Sequence, residues 1–328
     1  MKNIINRVAL IALLSLILIG CSSEPIVETS GEYQTVSIED NHGTIEVPIN
    51  PQKVVVLDSR SIETLQSWDI KLVAAAKAVL PADSVYIDDE SVADIGNHRE
   101  PNLELLASIE PDLVIIGQRF AGFYDEIKTL LPQSVIIDIN IDVSEESTTP
   151  GENLINGFKN NTLILGQIFD KIDEAQALVE SFDSAIEEVQ TAYNGSDRIM
   201  GVIVSGSDIG FSAPSFGRVW GPLFDIFSFV PSLNVGDSSS DHQGDSISTE
   251  AIAQSNPDWL LVLDRDGAIV SSTETLTAKE VIESSQVMET STAIKNQQVV
   301  YAPTDTYTNE SIQTYIEIFE ILAKAFTK

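Results

Sequence analysis

Two stretches of the sequence share one pattern, PDLVIIGQR (111–119) and PDWLLVLDR (257–265). In each, Pro-Asp leads into an apolar run that ends on an arginine. Glu104 and Glu250 stand seven residues before the prolines, and Arg119 and Arg265 stand eight after them. A short apolar run of this kind reads as a buried parallel strand, and in open α/β sheets ligands bind beyond the carboxyl ends of such strands. A guanidinium placed there offers a planar fork of donors to an anion and a cationic face to an aromatic ring. A third arginine, Arg218, lies in the glycine-flanked segment SAPSFGRVWG (212–221). Only six arginines follow residue 20, so their placement carries information. Arg60, Arg99 and Arg198 are assigned to surface ion pairs, the ordinary fate of arginine in an acidic chain. Around the other three, Phe120, Phe123, Tyr124, Phe216 and Trp220 are near in sequence. Together they suggest a ligand that is both anionic and aromatic.

The elements needed to position these residues follow from periodicity. TVSIEDNHGTIEVP (35–48) alternates around DNHG and reads as a β-hairpin. KVVVLD, SIETLQSWDI and KLVAAA then alternate strand with helix, as do the segments from 101 to 139. Residues 35–151 therefore read as an N-terminal α/β lobe and 194–328 as a C-terminal one. Between them, 152–193 has no proline and a continuous apolar stripe. It reads as one long rigid helix with a weak point near Gly157 or Gly166. The expected fold class is α/β, two Rossmann-like lobes joined by that helix.

The N-terminus has its own logic. Lys2 and Arg7 precede a twelve-residue apolar run, 8–19, too short to span a bilayer comfortably. This reads as a signal peptide over 1–20. It runs into LIGC, whose Cys21 is the only cysteine of the chain. LIGC resembles a bacterial lipobox, which implies lipidation of Cys21, a tether over 21–34 and a place on the outer side of the cell membrane. A lone cysteine forms no intramolecular disulfide. The formal charge of −32 argues against nucleic acid, which requires a basic face.

From Val36 onward the chain resembles the ferric-siderophore-binding lipoproteins of ABC importers. The resemblance rests on GTIEVPINPQKVVVLD (43–58), ETLQSWDI (63–70), PNLELLASIEPDLVI (101–115) and NPDWLLVLDRDGAI (256–269). It is greatest to the branch that takes petrobactin and other catecholates, and it implies the helical-backbone periplasmic-binding-protein fold. Arg119, Arg218 and Arg265 fall on that branch's three ligand-binding arginines. Some relatives complete the iron coordination with a tyrosine and a histidine. Tyr307 lies on the tyrosine position, although TNESIQ replaces the glycine-rich run that usually follows. In DHQGDSIST (241–249), either His242 or Gln243 falls on the histidine position. His42 and His98 are assigned to solvated loops. Glu104 and Glu250 are first-turn helix residues, and the resemblance implies that they also dock on a permease.

The expectation is thus a monomeric binding protein with no permanently bound cofactor. Its ligand is a ferric siderophore complex, and its partners are an ABC permease with its ATPase. Receptors for haem or cobalamin share the architecture and stay open as alternatives. An enzyme is disfavoured, because no nucleophile elbow, P-loop or dinucleotide fingerprint is present. A receptor for a bare divalent cation is disfavoured because arginines would repel it. An adhesive or structural lipoprotein is the remaining class.

Overall fold

A computed structural model describes residues 34–327 apart from 237, 238, 240, 242 and 270–275. The signal segment, Cys21 and His242 lie outside the described residues. The opening hairpin pairs β1 (Thr35–Asp40) with β2 (Gly43–Pro48), turning at Asn41 and His42. The first lobe follows as a parallel sheet of β3 (Val54–Leu57), β4 (Ala74–Ala75), β5 (Ala93–Asp94), β6 (Leu113–Ile116) and β7 (Val135–Asp138). Its spatial order is β5-β4-β3-β6-β7. The second lobe contains β8 (Arg198–Ser205), β9 (Asp208–Ser212), β10 (Val230–Pro231), β11 (Trp259–Asp264) and β12 (Val299–Tyr301). Its parallel order is β10-β8-β11-β12, with β9 antiparallel on β8.

Both sheets are buried on both faces, which explains why their strands read as unbroken apolar runs. Val54, Val56, Leu113 and Ile115 enter one core while Val55, Leu57, Val114 and Ile116 enter another. Leu261 and Leu263 oppose Leu260 and Val262 across the second sheet in the same way. In each lobe the strand order reverses at one place, between β3 and β6 and between β8 and β11. A crevice opens at the carboxyl ends of strands where the order reverses.

The connection expected as a single helix over 152–193 is a pair, Pro150–Ile168 and Ile172–Ala192. The break comes at residues 169–171, where Asp170 takes the left-handed conformation (φ 53°) that ends helices. Gly166 makes the turn compact, since a Cβ there would stand 2.5 Å from the Cβ of Ala175. The two helices run side by side, with Phe158 against Phe182 and Lys159 bound to Asp183 at 2.7 Å. Each helix serves both lobes. Leu154 and Phe158 pack with the second lobe, Leu165 and Ile168 with the first. Ala175 belongs to the first-lobe core and Phe182, Ala185 and Val189 to the second. The C-terminal helix Ile312–Phe326 joins this spine through Tyr315 on Phe158 and Phe319 on Phe182. Among the described residues no helix is long and apolar enough to cross a membrane.

Candidate ligand-binding site

Arg119 follows β6 by way of Gly117 and Gln118. Gly117 is required by close approach: a Cβ there would meet the Asp58 carboxylate at 2.6 Å. Gln118 then takes a left-handed turn (φ 42°) that swings the chain toward the crevice. The Arg119 guanidinium donates to Ser59 Oγ (3.1 Å) and Gln118 Oε1 (2.7 Å). The second lobe repeats this corner. Arg265 follows β11 and donates to Ser205 Oγ at 3.2 Å. In both cases the serine lies sixty residues earlier, Ser205 at the end of the strand across the reversal point and Ser59 two residues beyond it. The opening pattern therefore places one arginine at each switch point.

Arg218 comes from the loop after β9. Gly217 N–H donates back to Ala213 O (2.8 Å), and Ser215 N–H donates to Gly221 O (2.9 Å). Val219 adopts φ 64°, a strained conformation for a β-branched residue that costs about 1–3 kcal/mol. The strain has a visible consequence, because Val219 and Trp220 enter the second-lobe core while Arg218 lines the cleft.

Tyr307 sits in the short helix Thr306–Asn309 and receives all three arginines. Its carbonyl oxygen accepts from Arg218 Nη2 (2.8 Å) and Arg119 Nη2 (3.3 Å). Its ring lies under Arg218 Cζ at 4.1 Å and Arg265 Cζ at 5.5 Å from the centroid, within the range of cation–π attraction. These four residues line a cleft of about 720 Å³. Ala78, Val79 and Leu80 give one edge an aliphatic rim, and Ala268 and Ile269 do so on the other lobe.

Behind the arginines a chamber of about 380 Å³ shares Arg119 and Arg218 with the cleft. On its wall stands Glu310, buried and paired with both Arg218 and Arg60 (3.0 Å to the latter). Burial alone would raise the Glu310 pKa, but the charges of Arg218, Arg60 and Arg119 outweigh it and hold the carboxylate below its usual range. Burial and then the Arg218 charge push Arg119 below the usual guanidinium range, with Glu310 opposing.

Several expectations need correction. Arg60 forms no surface pair: it is 9 % exposed and bound to Glu310 inside the protein. It too stands just beyond the carboxyl end of an apolar strand, so the criterion that singled out Arg119 and Arg265 applies to it equally. Arg99, expected in a surface ion pair, and His98, expected on a solvated loop, both line the cleft. Burial, then Arg119, Arg99 and Arg218, push the His98 pKa below its usual value, favouring the neutral imidazole. Its Nδ1 is buried without a hydrogen bond among the described residues. Arg198 does pair near the surface, 3.7 Å from Asp258. His42 is not merely solvated, since it stacks on Tyr124 at 3.5 Å and bonds Asp138 at 3.2 Å.

The aromatic residues near the arginines go elsewhere. Phe120 and Trp220 are core residues, Tyr124 is under His42, and Phe216 lines the rear chamber. Tyr307 alone among the described aromatic residues lines the cleft. Gln243 lines a separate groove with Asp208 and Asp245, whose described lining includes no arginine but shares Ser205 with the Arg265 corner. Among the described residues no cluster of three or more His, Cys, Asp or Glu could hold a metal ion. Glu104 and Glu250 are exposed in the first turns of Leu103–Ile109 and Thr249–Ser255. These helices match in detail: Asn102 and Ser248 cap them, and Glu110 and Asn256 end them in left-handed conformations.

Comparison with known proteins places this geometry in context. The profile described as periplasmic binding protein matches residues 54–306. The petrobactin-binding protein YclQ of Bacillus subtilis is 31 % identical over 283 residues, covering 85 % of this chain and 83 % of that protein. Its crystal structure superposes with a TM-score of 0.73 at 25 % identity, over 90 % of this chain and 99 % of the other. The ferric-anguibactin-binding protein FatB of Vibrio anguillarum is 27 % identical over 99 % of both chains.

Proposed function

The chain belongs to the periplasmic binding protein family, and on that premise we propose that it captures an anionic ferric siderophore of the catecholate type and delivers it to an ABC importer. The observation that carries this reading is the convergence of Arg119, Arg218 and Arg265 on one face of a cleft, around Tyr307. A ferric catecholate is a compact polyanion with aromatic faces. Guanidinium forks match its oxygens and their planes match its rings. The aliphatic rim suits the edges of those rings. Tyr307 is also the cleft phenol that would reach iron if the siderophore left a coordination position open. The petrobactin-binding relative supports the catecholate class. The protein binds and releases its ligand; it does not transform it.

Delivery requires a partner and a place. Glu104 and Glu250, one exposed on each lobe, would dock the permease, and a lipid on Cys21 would hold the protein at the outer membrane face. The overall charge of −32 repels an approaching anion at long range. The attraction therefore acts at the cleft itself.

The test is a tryptophan-fluorescence titration with ferric catecholates, ferric hydroxamates, ferric citrate, haem and cobalamin. Saturable quenching by ferric catecholates at the lowest concentration is the expected result. Preference for haem or cobalamin would replace the proposed ligand, and the absence of any saturable ligand would overturn the receptor reading.

A further inference from the structure

The ligand reading leaves Glu310 without a role, yet it is the most enclosed carboxylate of the arginine wall, 2 % exposed. It occupies the left-handed joint (φ 45°) between the helix bearing Tyr307 and the C-terminal helix. Within its own lobe it pairs with Arg218. Across the interface it accepts from Arg60 Nη2 and from Gln118 Nε2, each at 3.0 Å. Gln118 in turn accepts from Arg119 at 2.7 Å. One carboxylate is thus connected to three guanidiniums drawn from both lobes.

The residues around it point the same way. Asn309 and Ser311 both bond Glu63 of the first lobe, and Gln313 accepts from Thr64 at 2.9 Å. The segment TNESIQ, standing where the family resemblance suggests glycine, supplies side chains that bind the opposite lobe. Glycines there could not make these bonds.

We propose that Glu310 is a positioning residue: a built-in counter-anion that gathers Arg60, Arg218 and, through Gln118, Arg119 onto one wall before any ligand arrives. The inference rests on the anion-receptor reading of the cleft. Its physical basis is that guanidiniums brought together away from water repel one another unless a fixed negative charge lies between them. The opposite effect of a carboxylate, subtracting charge from an anion site, predicts the reverse outcome on mutation. The two effects can therefore be separated by sign.

The full chain would be titrated with the 1:3 iron(III)–catechol complex as wild type, Glu310→Gln, Arg60→Met/Glu310→Gln and Gln118→Met. Glu310→Gln should weaken binding about tenfold, the range of a broken charge pair that stays partly bridged by water. Removing Arg60 as well relieves the stranded charge and should recover at least about threefold of that loss. Gln118→Met keeps the buried ion pairs, and with them the fold, and should weaken binding about threefold. In ligand-free protein, Glu310→Gln should also speed hydrogen exchange at 117–120 and 306–311. Binding at or above wild-type strength in Glu310→Gln would overturn the proposal. So would equal losses in the single and double variants with matching falls in melting temperature, which would make Glu310 merely structural. If Glu310→Gln does not fold, wild-type affinity in Gln118→Met overturns it. If wild type itself ignores the complex, the receptor reading fails, and unchanged hydrogen exchange in Glu310→Gln would then overturn the positioning role separately.

Discussion

Arg119 and Arg265 occupy equivalent corners of the two lobes and differ in what balances them. Each donates to a serine across the reversal point of its sheet. Arg265 is also paired with the carboxylate of Asp266 at 3.0 Å. Arg119 has the neutral amide of Gln118 in that place and reaches a negative charge only at one remove, through Glu310. The second lobe thus presents a compensated cation and the first an undercompensated one. On the proposed reading a ligand anion would complete the first corner and compete at the second. One residue before each serine the contrast is reversed. Ser59 follows the buried acid Asp58, whereas Ser205 follows the buried aliphatic Val204.

This asymmetry can be broken one residue at a time. Truncating one partner of a desolvated charge pair costs about 2–5 kcal/mol. Arg119→Ala should sit in the lower half of that range, a loss of about 100-fold for a ferric catecholate at ~1.4 kcal/mol per decade, measured by fluorescence titration. Arg119→Lys should recover only part, because a point charge lacks the fork.

Asp58 tests the first lobe through stability rather than binding. Burial pushes its pKa from 3.8 to about 6, against the opposing charge of Arg60. Because the folded value is the higher one, the unfolded chain loses its proton first as pH rises. Stability is therefore lost between roughly pH 4 and pH 6 and stays lost above. At about 1.4 kcal/mol per pKa unit the penalty is at most roughly 3 kcal/mol. Asp58→Asn should raise the melting temperature at pH 7 by several degrees and leave it unchanged at pH 4. An equal gain at both pH values would show that ionisation is not the cause.

The smaller effects belong to the second lobe. Arg265→Ala should cost only about tenfold, since Asp266 already compensates it. Asp266→Asn should tighten binding about threefold by freeing the guanidinium while keeping an acceptor for Gly206 N–H. If Arg265→Ala proves as damaging as Arg119→Ala, compensation by Asp266 does not govern the corner.

How much of this was legible in the sequence depends on whether chemistry is carried by one segment or by several. The two lobes and the strand-end arginines were readable, because Pro-Asp, the apolar run and the arginine are contiguous in each copy. The serines were not, since their partnership depends on which strands lie side by side. Glu310 was hidden for the same reason: it stands just before the apolar C-terminal helix like an ordinary helix-start acid, and only the fold brings Arg60 and Gln118 to it. The aromatic residues misled because a ring next to an arginine in sequence turns into the core when the arginine turns out. The single interlobe helix failed on one residue, Asp170, because any short polar side chain can adopt a left-handed turn. The weak point read near Gly166 lies about one turn before it, so the place of the break was legible although the break itself was not.

The paired helices of the spine have a mechanical consequence. A single rod between two bodies resists bending but lets them rotate about its axis. Here the chain crosses three times, as residue Ile141 already belongs to the second-lobe core before the two helices run back and forth. Parallel struts fastened at both ends cannot twist without sliding past each other, and Phe158, Phe182 and Phe319 interlock against such sliding. Torsion between the lobes is therefore stiff. What freedom remains would be a shallow nod in one plane, which would keep the faces bearing Glu104 and Glu250 in register as the cleft fills.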